Sequence, residues 1–575
     1  MRVFTALIAA IWLVSAAPAL AQPLPDTLRS AGVTQAQWDA IQRAARAQAR
    51  RANISEASLL AAAEAATGRL AQSGRFNALS LQQTILDSLA AQAEEIADLQ
   101  RRLEARIGDR DPDIAALYAQ ARAALEAGRL YDADGLLTQA AERDLAAMQA
   151  ADAEAERRRL RAGESIASRG QIAFVQADYL VAAEHYARAA NTVPQSATEP
   201  RWQYTMWRGR TLYERGRVFG EPEPLQQAIA AYESALTLRP RERAPADWAA
   251  TQNDLGNALQ LQGGRGAPAA LQRAVAAYEA ALTVRTRESD SAGWADTQMN
   301  LGAALLLQGE RGSTSMLERA VAAYEAALTV ETPESDPTGW AQTQMNLGTA
   351  LRHLGERGVP RALERSVAAF EAALTVQTRE ADPAGWAAIQ ANLGVALQRR
   401  SERGAPGALD QAVAAYEAAL TVMTREADPA AWARQQVNLG NALVLQGERG
   451  ARGAFERAVA AFEAALTVET RESNPTGWAR TQVNLGIALK EMGEAGAPGA
   501  LERAVAVYDE ALTVMTREVD PAGWAQAQYN LALAYGAMGR NADARAAAQR
   551  ALEGGQQVGH RALVEHARRA VAAFQ

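Results

Sequence analysis

Asparagine stands at Asn300, Asn346, Asn392, Asn438, Asn484 and Asn530, each 46 residues after the last, with Asp254 holding the same place one interval earlier. A primary amide carries a donor and an acceptor together, so it can bond the N–H and C=O of a peptide backbone at once. Asparagine is also a mediocre helix former, and repeated copies inside helices ask for a reason. The chemistry this spacing suggests is recognition of another polypeptide, gripped by its backbone with little regard to its sequence. The competing reading is that each amide bridges neighbouring repeats internally.

Covalent chemistry finds less support. The histidines are His185, His353, His560 and His566. They form no HExxH and no pair four apart beside a carboxylate, so they read as surface residues and no metal site is expected. The "GERG" segments lack the preceding strand and the Lys-Ser/Thr of a P-loop. No G-x-S-x-G elbow occurs, and the carboxylates scatter along helix faces with i, i+4 partners. No catalytic residue and no cofactor follows. The chain has no cysteine, which removes disulfides, thiolate metal sites and a Cys nucleophile, and which suits an oxidising compartment. A net charge of −7 over 575 residues, without a Lys/Arg stripe, argues against nucleic acid as a partner.

The elements that must hold the amides are marked by tryptophan. Trp202, Trp248, Trp294, Trp340, Trp386, Trp432, Trp478 and Trp524 are each 46 residues apart. A period of this length signals a solenoid, whose repeats bury their apolar faces on one another. Counted from the tryptophan, positions +7, +8 and +11 are nearly fixed as Leu, Gly/Ala and Leu/Tyr. They share the tryptophan's stripe, so all are assigned to packing. Positions +2, +5, +9 and +12 vary freely and fall on the opposite face. At +5 lie Met299, Met345, Ala391, Val437, Val483 and Tyr529; the asparagines are at +6.

In the repeat beginning at Asp336, that residue suits an N-cap and Pro337 the first helical position. The first helix is expected to stop at "GERG", with Gly355 and Gly358 as breakers. A second helix, "ALERSVAAFEAALTV", turns Val367, Phe370 and Leu374 inward. Its eleven-mer "SVAAFEAALTV" is a near-copy of "AVAAYEAALTV", which stands letter for letter at Ala274, Ala320 and Ala412, because each copy has the same neighbours.

Leu347-Gly348-x-x-Leu351 followed by Ser366-x-x-x-Phe370-x-x-Ala373-Leu374 resembles the tetratricopeptide repeat. The resemblance covers about Trp202 to Leu552, with weaker copies upstream. There are two departures: the unit is longer by 12 residues, and the tryptophan lies seven before the Leu-Gly pair. A period of 46 also falls within the range of HEAT and armadillo arrays, and the spacing of the small residues favours the tetratricopeptide assignment. The resemblance implies an all-α, right-handed superhelical α-solenoid whose variable face lines a concave groove where peptides lie. Met299, Met345, Val437, Val483 and Tyr529 would line it beside the asparagines. The ladder looks like that of the O-linked N-acetylglucosamine transferase superhelix, whose catalytic domain has no counterpart here.

The flanks complete the expected organisation. Residues 1–21 read as a signal peptide, with an apolar run from Val3 to Val14 and a cleavage site after Ala21. The mature protein is then expected to be periplasmic or secreted, with no later membrane span. Residues 22–110 form an N-terminal helical region in which Ile85, Leu89, Gln92, Ile96, Leu99 and Leu103 make a short heptad seam. The seam either joins a second copy into a homo-oligomer or folds back on the helix around Trp38. Residues 111–200 hold two irregular repeats, 201–523 the regular array, and 524–575 a terminal repeat with a capping helix. The expected function is a non-enzymatic scaffold or adaptor that binds a protein or peptide segment. The alternatives are a structural or sensory oligomer built through the heptads, or a recruitment subunit of an envelope enzyme.

Overall fold

From Asp336 onward each repeat opens on a capped turn. The Oδ1 atom of Asp336 accepts the Gly339 N–H at 3.0 Å with Pro337 at the first helical position. The same cap recurs at Asp382, Asp428, Asn474 and Asp520. The side-chain oxygen satisfies one of the orphan N–H groups that every helix start exposes. The computed structural model describes residues 23–574 apart from 31, 74–77, 109–110 and 148–151. The expected signal peptide lies outside the described residues, which contain helices and no strand.

The chain divides into two units, Met1–Asp290 and Ser291–Gln575, so the regular array is split between them. In unit 1 the helices are α1 (Asp26–Ser30), α2 (Gln35–Ala52), α3 (Glu56–Gln72), α4 (Ala78–Arg106), α5 (Pro112–Glu126), α6 (Leu130–Ala147), α7 (Asp152–Val175), α8 (Tyr179–Thr192), α9 (Thr198–Phe219), α10 (Pro222–Leu238), α11 (Pro245–Gly264) and α12 (Pro268–Leu282). Unit 2 contains α13 (Ser291–Glu310), α14 (Thr314–Ala327), α15 (Pro337–Glu356), α16 (Ala362–Val376), α17 (Pro383–Glu402), α18 (Ala408–Leu420) and α19 (Pro429–Glu448). It continues with α20 (Ala454–Leu466), α21 (Pro475–Glu494), α22 (Ala500–Leu512), α23 (Pro521–Ala537), α24 (Asn541–Gln557) and α25 (Arg561–Ala573). From α5 to α12, and again from α13 to α24, consecutive helices pair as hairpins.

The hairpins from α7–α8 to α21–α22 each close on a glycine. A Cβ at Gly348 would stand 2.8 Å from the Phe370 ring, so only glycine lets the two helices approach this closely. Gly355 does not act as the expected breaker. The helix α15 continues through it to Glu356, and Leu363 occupies the space where its Cβ would be, at 2.5 Å. The stop comes at Gly358, whose φ of +89° is left-handed. The same packing corrects the first tryptophan. Gly209 packs on Tyr232 as Gly256 packs on Tyr278, yet Gly209 follows Trp202 by seven residues and Gly256 follows Trp248 by eight. Trp202 therefore sits one residue out of the register of the others.

Neighbouring hairpins in unit 2 are tied by repeated side-chain bonds. Arg357 donates to the Gly309 carbonyl at 2.5 Å, Arg403 to that of Gly355, and Arg449 to that of Ser401 at 3.0 Å. The arginine of each "GERG" thus satisfies a last-turn carbonyl of the preceding first helix. Second helices are linked by Arg365–Glu325, Arg457–Glu417 and Arg503–Glu463. Backbones of successive first helices come close together, while those of successive second helices stay further apart. The first helices therefore line the inner side of unit 2.

The heptad seam does not face a second copy. Ile85, Leu89, Gln92, Ile96, Leu99 and Leu103 are all buried within unit 1, where α4 packs on α2, α3, α5 and α7. A homo-oligomer through Ile85–Leu103 would need this apolar stripe free, and the chain's own helices already cover it. The reading as an oligomer assembled through the heptads falls with it.

Candidate partner-binding face

The face is built on the first helices of unit 2. Leu347, Gly348 and Leu351 of α15 are buried against α16, and Thr343 is fully buried as well. The remaining side of each first helix carries the asparagines. Asn346, Asn392, Asn438 and Asn484 are half-buried, as are Met299, Met345 and Val437 beside them, while Val483 is buried.

Asn346 accepts from Gln342 Nε2 of its own helix at 3.1 Å. Asn392, Asn438 and Asn484 make no hydrogen bond to another described residue. These four amides therefore do not bridge repeats, and three keep both donor and acceptor for something else. The end of the ladder differs. Asn530 is buried and accepts from Gln526 at 3.2 Å, and Tyr529 stacks on His566 of α25 with ring centroids 6.1 Å apart. The terminal helix covers these two positions.

The tryptophans spaced by 46 residues, from Trp202 to Trp524, are half-buried. In unit 2, Arg379 lies 5.8 Å from the Trp386 ring and Arg517 5.7 Å from Trp524, a cation–π arrangement that places each linker over the following helix. In unit 1, Arg241 does the same over Trp248 at 5.4 Å.

Two arginines on this face were not singled out by sequence. Arg434 and Arg480 are exposed at position +2 of consecutive repeats, four residues before Asn438 and Asn484. Neither has an ion pair among the described residues. The available signal was that Asp296, Gln342, Ala388 and Gln526 hold this position elsewhere in unit 2, so two adjacent cations are a local departure.

His353, expected on the surface, is instead half-buried between carboxylates of two repeats. Its Nε2 lies 3.2 Å from Glu310 and its Nδ1 3.1 Å from Glu356. Arg352 reaches Glu356 at 2.6 Å and His353 Nε2 at 2.9 Å, and Arg399 lies 3.5 Å from Glu356. The bonds to Glu310 and Glu356 raise the imidazole above its ordinary value. Burial would lift Glu356, but His353 and Arg352 hold it down at about 2. This cluster fastens the ends of α13, α15 and α17. Among the described residues no group of His, Cys, Asp or Glu could hold a metal ion, and no helix is long and apolar enough to cross a membrane.

In unit 1 the corresponding face is already covered. Gly170 packs on Tyr186 and Gly209 on Tyr232, which fixes the register of α7 and α9 against the regular repeats. In that register Glu164 and Gln171 take positions +2 and +9 of α7, and Trp207 and Arg210 take +6 and +9 of α9. All four meet α4. Glu164 is bonded by Arg102 at 2.9 Å and Arg106 at 2.6 Å, and these two guanidinium groups outweigh burial to hold its carboxyl low. Gln171 donates to Asp98 at 3.1 Å and Arg210 to Glu95 at 2.9 Å, and Arg102 lies 4.6 Å from the Trp207 ring.

Among solved structures, the chain is similar to the tetratricopeptide domain of P58(IPK), at 15% identity over 80% of this chain and 99% of that one, with a TM-score of 0.25. It is also similar to the TPR2AB domain of yeast Sti1 in complex with pHSP90, at 18% identity over 57% and 98%, TM-score 0.20. The apo form of RapI matches at 12% identity over 69% and 98%, TM-score 0.45. No family model and no curated protein matches the chain. Within each unit the described helices form an array of helical hairpins.

Proposed function

We propose that this chain is a non-enzymatic scaffold or adaptor of the bacterial envelope, which seats a segment of a partner protein along the first-helix face of unit 2. The observation that carries this reading is the set of free amides at Asn392, Asn438 and Asn484, held half-buried on one face of three consecutive repeats. Each of these amides is open to solvent and keeps a donor and an acceptor, which polar groups of a partner can complement in place of water. Val437 gives apolar surface beside them, and Arg434 and Arg480 give the partner's acidic groups a place to bind. Recruitment of an envelope enzyme is the special case in which the partner is catalytic. Export is supported by the leader-like start and the lack of cysteine.

The test compares the wild-type chain with the Asn392→Ala, Asn438→Ala, Asn484→Ala variant in capture from an envelope fraction, read by mass spectrometry. Proteins retained by the wild type should be lost by the variant while its Tm stays within about 2 °C. Equal retention, or loss of fold together with capture, assigns the amides to the array itself. For export, the N-terminal peptide from the periplasmic fraction should begin at Gln22; a cytoplasmic chain that keeps Met1 contradicts it.

A further inference from the structure

We infer that the segment unit 2 takes is an α-helix carrying carboxylates toward Arg434 and Arg480, not an extended strand; this rests on the partner-binding face proposed above. The chain supplies its own precedent in unit 1, where a helix, α4, lies across two consecutive repeats and meets positions +2, +6 and +9. Its contacting residues are Glu95, Asp98, Arg102 and Arg106. They are spaced by three, four and four, which is one face of a helix. The repeat surface of this protein is thus shaped to receive a helix, with charged side chains rather than backbone making the longest reaches.

The charges then say what kind of helix. At +2 of α7 stands Glu164, six residues before its packing glycine, and it receives two arginines from α4. Arg434 and Arg480 also lie six residues before theirs, Gly440 and Gly486. The sign at this position is reversed, so the incoming helix must be acidic where α4 is basic. Adjacent packed helices lie roughly 8–10 Å apart, a distance a helix covers in about five to seven residues at 1.5 Å each. Carboxylates about two turns apart would therefore reach both arginines. The free amides at Asn438 and Asn484 take the position held by Trp207, which is covered by α4.

The experiment uses the full chain and fluorescently labelled synthetic peptides of the α4 sequence, residues 78–106. One peptide is unchanged, one carries Arg102→Glu with Arg106→Glu, and a third adds Ala97→Pro to the acidic form. By anisotropy the acidic peptide should bind saturably, and the unchanged one roughly tenfold more weakly or worse. Arg434→Glu with Arg480→Glu should invert that preference, which locates the contact. The proline peptide should lose at least about tenfold, because proline breaks a helix interior. Equal binding of the proline peptide overturns the helix while leaving the face as a binding site. Absence of acidic-peptide binding, or indifference to the charge reversal, also overturns the inference. The face itself is judged separately by the capture lost from the triple asparagine variant.

Discussion

Asp254 occupies the position that six other repeats give to asparagine. Burial pushes its carboxyl up to about 6, against the opposing pull of Arg210 and Arg285. The folded chain therefore holds a proton that the unfolded chain, with an ordinary carboxyl near 3.8, has released. Stability should fall as pH rises through this window. Asp254→Asn should stabilise the protein at pH 7 by on the order of 1 kcal/mol, with the gain vanishing near pH 4, as read from thermal melts across that range. His353 gives the same slope from the opposite charge. Its value is raised in the fold, so its contribution is complete below its ordinary 6.5 and lost as pH climbs through the raised value. The groups facing it are Glu310, Glu356, Arg352 and Arg399. His353→Gln should flatten the decline of stability between pH 6 and 8 and leave a weaker acid limb, because Arg352 still holds Glu356 below its ordinary 4.5. An unchanged alkaline slope would show that His353 is not its source.

From α7 to α21 each hairpin depends on a close approach at one glycine of its first helix. Gly348→Ala sets a methyl 2.8 Å from the Phe370 ring, and Phe370 is fully buried, so the ring has little room to retreat. Overpacking of this kind costs about 1–3 kcal/mol. The expected outcome is that loss in urea unfolding, partly recovered when Phe370→Leu is added; a neutral Gly348→Ala would mean the ring moves freely. This contact was legible in the sequence, because Leu-Gly and the later aromatic recur in step and the N-cap Asp-Pro frames them. Gly355 was misread because a helix stop and a close approach both select glycine, and only the position of Leu363 tells them apart. The heptad seam shows the same limit. A spacing of three and four specifies a buried stripe, but not that α2 and α3 would be what covers it. The first tryptophan was placed by its period alone, whereas the packing glycine fixes the true register. Arg434 and Arg480 carry no periodic signal, since position +2 varies and arginine fills it in only two repeats.

Because each hairpin packs mainly on its neighbours, stability in this chain should be distributed along it rather than held by one cooperative core. The apolar contacts bear this out in outline: one buried cluster runs from Leu24 to Tyr204 within unit 1, another from Ala341 to Ala570 within unit 2. The first is thickened by α2, α3 and α4, and its polar side is closed by Arg102–Glu164 and Arg210–Glu95. The second is an alanine-rich stack tied at its rim by Arg–Glu pairs that are about half exposed, worth little each in water. Urea unfolding of the full chain should therefore not be two-state. Segment-resolved hydrogen exchange should show α15 to α20 opening together at lower urea than α4 and α7. Gly348→Ala should move the first group of segments and leave the second in place. A coincident shift of all segments would mean that the array folds as a single cooperative body, and that the repeats are coupled far more strongly than nearest-neighbour packing provides.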